Sequence, residues 1–176
     1  MKSLAMLAAA ALLVGLATFG AACKNGGGGL SLEEYFQELD SIQEQTDATF
    51  ATQEASAGEP AADASGEELA AFFRDNITGS ADILRGAAAD VDGIDPPDEV
   101  ADAHSDLVAT TNDLVAVLDD MADSIPDTIT LADLEQGTFF DNEELNAADE
   151  QFLAACSALE QIASDNNITV DLNCEE

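Results

Sequence analysis

The chain has no tryptophan, a single histidine, and only 4 Lys+Arg set against 37 Asp+Glu. Each scarcity removes a class of function. A formal net charge of −33 at pH 7 disfavours nucleic acid and anionic lipid headgroups as ligands, because both are polyanions, and no nucleic-acid partner is expected. Without tryptophan there is no Trp-lined surface for sugars. A Ser-His-Asp site would have to use His104, the only imidazole, yet no Gly-x-Ser-x-Gly elbow is present to offer a serine. Di-iron bundles need paired Glu-x-x-His motifs, and the residue three before His104 is Ala101. Haem would have to use His104 or Met121 without a Cys-x-x-Cys-His attachment. No Gly-rich phosphate loop occurs. Paired carboxylates are plentiful, but in so acidic a chain their proximity carries no information. These gaps predict a protein that is not an enzyme and that holds no cofactor and no resident metal. His104, between Val100 and Val108 on an apolar stripe, reads as a packing residue at a bundle edge.

What is present begins with an address. Lys2, an apolar run from Leu4 to Phe19 and the small residues Gly20-Ala21-Ala22 end at Cys23. A basic residue, an apolar stretch too short for a comfortable membrane span, and small residues before a cleavage point make a secretory signal. The end of this segment, Phe19-Gly20-Ala21-Ala22-Cys23, resembles the lipobox of bacterial lipoproteins, with Gly20 where leucine is usual. That resemblance implies acylation of Cys23, which becomes the mature N-terminus, and a lipid-anchored protein on the extracytoplasmic face of a membrane, in a periplasm or at a cell surface. Lys24 is not the aspartate that signals inner-membrane retention in enterobacterial lipoproteins.

The segment Lys24-Asn25-Gly26-Gly27-Gly28-Gly29 follows, and four glycines in a row have no side chains to pack. About eight residues of such chain span ~15 Å on average and ~28 Å when taut, so the domain would ride just off the bilayer. The expected organisation is a leader over 1–22, an acylated tether over 23–30 and one domain over 31–176. A domain of that length buries about two-thirds of its unfolded surface.

Beyond the tether the pattern is helical. Ser31-Leu32-Glu33-Glu34 is a capping box, followed by Leu32, Tyr35, Phe36, Leu39, Ile42 and Thr46 on one face. The tract from Glu54 to Ala64, with Gly58 and Pro60, reads as a loop. Ser65-Gly66-Glu67-Glu68 repeats the box, and Leu69, Phe72, Phe73, Ile77, Leu84, Ala88 and Val91 form a second stripe that Gly79 and Gly86 weaken without ending. Asp92-Gly93-Ile94-Asp95-Pro96-Pro97 stops this helix and starts the third, with proline in the first turn. The third carries Val100, His104, Leu107, Val108, Thr111, Leu114, Val115, Leu118, Met121 and Ile125. It spans about 27 residues, or near 40 Å, up to Pro126. Thr130–Leu134 suits a short helical turn. Asp141-Asn142-Glu143-Glu144 offers an N-cap with a carboxylate at N3, followed by Leu145, Ala148, Phe152, Ala155, Cys156, Leu159 and Ile162. Four long helices with modest connections predict an all-α, antiparallel four-helix bundle.

After Asn166-Asn167, suited to a left-handed turn, the period changes to two: Ile168, Val170, Leu172 and Cys174 alternate with Thr169, Asp171 and Asn173. An extended strap is expected, its apolar side against the bundle. From Cys156 to Asp165 a helix advances ~14 Å, and seven extended residues return that far. A Cys156–Cys174 disulfide is therefore expected, favoured by an oxidising exterior and by the commitment of Cys23 to lipid. Closing that loop contributes about 3 kcal/mol by chain entropy. Two buried thiols or a soft metal pair are the alternatives.

One turn invites a cation. The acids of Asp90-Val91-Asp92-Gly93-Ile94-Asp95 loosely resemble a calcium loop, but glycine is fourth rather than sixth and Ala101 stands where the bidentate glutamate belongs. Helix termination explains the same residues. Phe72, Phe73 and Phe152 are the aromatics that would line a small-ligand pocket if the bundle has one.

The organisation as a whole, a Pro-Pro opening a helix with an early histidine and a late cysteine pair, resembles an uncharacterised group of small helical lipoproteins and secreted proteins of actinobacteria, which implies no activity. The expected role is a binding or interaction module at the cell envelope with a protein or small-molecule partner. The alternative is an acidic, low-affinity cation-binding or surface-charge protein. The charge itself suits a solvated surface in a salty environment, where repulsion is screened within a few ångströms.

Overall fold

A computed structural model of the chain describes residues 29–61, 63–130, 133 and 142–174. The expected leader, Cys23 and the expected tether up to residue 28 lie outside the described residues. Among the described residues, no helix is long and apolar enough to cross a membrane.

Reciprocal caps set the start of the first two helices. In α1 (Leu32–Ala57) the Glu34 amide donates to Ser31 Oγ at 3.3 Å, and the Ser31 amide donates back to Glu34 Oε2 at 2.9 Å. In α2 (Gly66–Asp92) Ser65 and Glu68 repeat the exchange at 3.3 and 2.7 Å. Each box satisfies amides that the first turn leaves without partners. Bonds from the Ser31 side chain and backbone hold Glu34 below the ordinary carboxylate range; the Ser65 backbone and side chain do the same for Glu68.

Three boundaries differ from the sequence reading. α1 continues to Ala57, inside the expected loop, because Gly58 at φ 63° is the first residue to leave helical geometry and its amide still reaches Glu54 O at 3.3 Å. The third helix, α3 (Ala101–Ser124), does not begin on its prolines. Pro96 and Pro97 lie in the extended connection, Asp98–Val100 form a turn closed by Val100 N–H on Pro97 O at 3.0 Å, and only then does the His104 amide reach Val100 O at 2.8 Å. The cap of α4 (Glu143–Asp165) is Asn142, not Asp141: its side chain accepts from the Glu144 amide at 2.8 Å. Asp141 itself is outside the described residues. In the expected short turn, Thr130 and Asp133 cap one another, while Leu131, Ala132 and Leu134 are likewise outside.

The four helices form an antiparallel bundle in chain order, α1 packing on α2, α2 on α3 and α3 on α4. The start of α1, the end of α2, the start of α3 and the end of α4 meet at one end, called here the entry end because Gly29 arrives there. Its core contains Tyr35, Phe36, Leu39, Val91, Ile94, Val100, Leu107, Ala155, Cys156, Leu159 and Ala163. Residues of α1 and α4 belong together to this cluster. At the far end a smaller cluster gathers Leu69, Ala70, Ile125 and Ile129.

The C-terminal strap behaves as its alternation predicts. Asn167 takes a left-handed φ of 59°, Asn167 N–H bonds Ser164 O at 3.0 Å and Ile168 N–H bonds Ala163 O at 2.9 Å, the pair of bonds that defines a Schellman ending. Leu172 and Cys174 then turn inward while Thr169, Asp171 and Asn173 face solvent. Cys156 and Cys174 pair at disulfide distance, Cα atoms 5.5 Å apart, and Glu160 Oε1 accepts from the Leu172 amide at 2.9 Å.

Candidate functional site

The entry end concentrates the residues singled out by sequence. His104 is buried, and its Nδ1 lies 3.2 Å from the hydroxyl of Tyr35, which is 0% exposed. The two rings meet edge to face with centroids 5.8 Å apart, and Tyr35 meets Phe36 the same way at 5.2 Å. Burial pushes the Tyr35 phenol above its ordinary value. Burial also lowers His104, against an opposing pull from the Asp92 carboxylate. His104 thus packs as expected, but with a specific polar partner that its helical stripe did not reveal.

The turn from Asp90 to Asp95 places Val91 and Ile94 in the core and its three aspartates outside. Its backbone is engaged in stopping the helix: the Gly93 amide reaches Ala89 O at 3.1 Å and the Ile94 amide Val91 O at 2.9 Å. Among the described residues, no three or more His, Cys, Asp or Glu side chains converge as metal ligands. Beside this turn, a shallow groove of about 330 Å³ runs between α1 and α2, lined by Glu38, Ser41, Ile42, Ala89, Asp90, Gly93 and Ile94.

The aromatics do not form one pocket. Phe72 and Phe73 stack edge to face at 5.3 Å and Phe73 packs on the far-end cluster, whereas Phe152 packs on the entry-end core. Among the described residues, no buried side-chain nitrogen or oxygen lacks a hydrogen-bond partner, so no orphaned group points to a missing ligand.

Three placements escaped the sequence reading. Arg74 Nη2 donates to Ile125 O at 2.8 Å and Pro126 O at 3.4 Å, so α2 supplies the cation that the last turn of α3 lacks. Arg85 bridges to Asp119 of α3 at 2.7 Å while also holding Asp82. The Gln53 amide lies over Gly79 and donates to Asn76 O at 2.9 Å, which gives that helical glycine a purpose. Both described arginines are therefore engaged in joining α2 to α3. The signal that could have found them is their rarity, since an isolated cation among so many acids is never short of carboxylate partners. Which partners it takes depends on tertiary placement.

No family model, no curated protein and no solved structure matches this chain.

Proposed function

We propose that the chain is exported, acylated at Cys23 and held on the outer face of a membrane, where the bundle serves as a non-catalytic binding or interaction module. The observation that supports this reading best is the buried Cys156–Cys174 pair. Disulfides persist in oxidising compartments, and a stapled domain behind an export-type leader is what such a compartment receives. The entry of Gly29 and Leu30 beside that stapled core accords with a tether at this end, since a β-carbon on Gly29 would stand 3.3 Å from Asp95 Oδ2 and Leu30 packs on the cluster.

The test is labelled palmitate. Incorporation into the wild type, together with loss of label and of membrane association in Cys23→Ser, is the expected result; an unlabelled protein whose Cys23→Ser form stays equally membrane-bound overturns the anchoring.

The charge supports a second reading, low-affinity cation binding or a surface-charge role. Both described arginines lie on α2, beside Asp82, Asp119 and Asp127, in a chain that sets 37 Asp+Glu against 4 Lys+Arg. Calcium or magnesium raising the Tm well beyond matched monovalent salt favours that role; equal shifts favour simple screening.

A further inference from the structure

We infer that the Tyr35–His104 pair is a pH-sensitive latch that fixes the first turns of α1 to α3, and that protonation of His104 releases them. The inference does not depend on how the chain is anchored. In the neutral pair a single hydrogen lies between Tyr35 Oη and His104 Nδ1, 3.2 Å apart. The pair is satisfied with the imidazole hydrogen on Nε2, so that the Tyr35 hydroxyl donates to His104 Nδ1. Protonation of the imidazole puts hydrogens on both, so one donor loses its acceptor at a place where Tyr35 has no access to water. A buried donor without a partner and a new charge in an apolar cluster both weigh against the closed arrangement.

The surroundings leave His104 as the group that responds. Asp92, from the end of α2, is the carboxylate that acts on it and favours its charged form, but burial outweighs that pull. On the other elements of this core, Glu34 of α1 is bonded to Ser31, Glu160 of α4 to the Leu172 amide and Asp171 of the strap to the Asn173 amide, while Glu38 of α1 and Asp90 of α2 are exposed. On α3 itself, Asp102 and Asp106 are exposed. Because the folded state holds His104 below its free value, the latch contributes fully above the free-histidine range near ~6.5 and loses that contribution as pH falls through the folded value. With one His and one Tyr in the chain, no other imidazole titrates there.

The composition also makes the test single-site. The imidazole signal of the full chain is followed by NMR from pH 7.5 to 4.5, alongside hydrogen exchange of the peptides covering 32–42 and 66–77. The expected result is a midpoint below that of free histidine and a fall in the protection factor of 32–42 of about fivefold or more in step with it, with 66–77 changing less. In His104→Gln, which keeps a polar group but cannot gain a charge, that fall disappears. Tyr35→Phe, a milder change that keeps the ring, makes it smaller. A midpoint at or above the free value, or protection of 32–42 that is flat or falls only in parallel with 66–77, overturns the latch, as does an undiminished fall in His104→Gln.

Discussion

At the entry end residues of all four helices and the strap join Tyr35, Phe36 and Leu159 in one large cluster, whereas at the far end, among the described residues, the cluster of Leu69, Ala70, Ile125 and Ile129 is smaller. α1 marks the gradient best. Its buried residues are Tyr35, Phe36 and Leu39, all in its first two turns, and beyond them it offers only half-buried positions such as Ile42, Phe50 and Gln53. The far end adds polar contacts to its smaller cluster. The Ile129 amide donates to Gly66 O at 3.1 Å, and Arg74 holds the carbonyls at the end of α3. Among the described residues, one end therefore joins a large buried cluster to the Cys156–Cys174 pair, and the other joins a smaller cluster to a few polar contacts. Burial scales with area and is hard to lose piecemeal, while a contact made by one amide opens with one fluctuation.

The largest blow to that contrast is Leu159→Ala. Leu159 is 0% exposed at the meeting of α1, α4 and the strap, so the change should cost about 3–4 kcal/mol in urea unfolding. A cost below that of Ile125→Ala would reverse the ranking of the two ends. Next is the staple. Replacing Cys156 and Cys174 together by serine should lower stability by about 3 kcal/mol and raise exchange across 166–174, with far-end peptides least affected.

A smaller effect tests the far end alone. Alanine is the better helix former, yet a β-carbon at Gly66 would stand 2.8 Å from Ile129 O, a backbone atom with little freedom to move. Gly66→Ala should thus destabilise by about 1–2 kcal/mol, and a gain in Tm would show that this approach is not close in solution. The smallest effects should also be the most alike. Ser31→Ala at the entry end and Ser65→Ala at the far end each remove one capping box and should each cost about 1 kcal/mol in thermal unfolding. Unequal losses would mean that the ends differ in their caps as well as in their cores.

Much of this fold is legible along the chain because its signals are local. Ser31 and Ser65 announce their helices by spacing alone, Asn166-Asn167 announces the left-handed exit, and the alternation from Ile168 to Cys174 announces which side of the strap is buried. The boundaries that shifted did so for equally local reasons that pattern does not weigh: Pro96-Pro97 suits an extended link as readily as a first helical turn, and an Asp-Asn pair leaves either residue able to cap α4. What sequence could not show is pairing at a distance. Tyr35 with His104, Arg74 with Ile125, Gln53 over Gly79 and Gly66 against Ile129 each join different elements, and nothing in the spacing of one helix specifies the partner on another. The candidate site shares that fate: His104 was visible as a buried stripe residue, but its hydrogen bond was not.

Native-state hydrogen exchange of the oxidised full chain tests the central contrast most directly. The account predicts the slowest exchange in peptides spanning 34–42 and 153–164 and markedly faster exchange in 46–57 and 66–73; uniform protection along each helix, or greater protection at the far end, would contradict it.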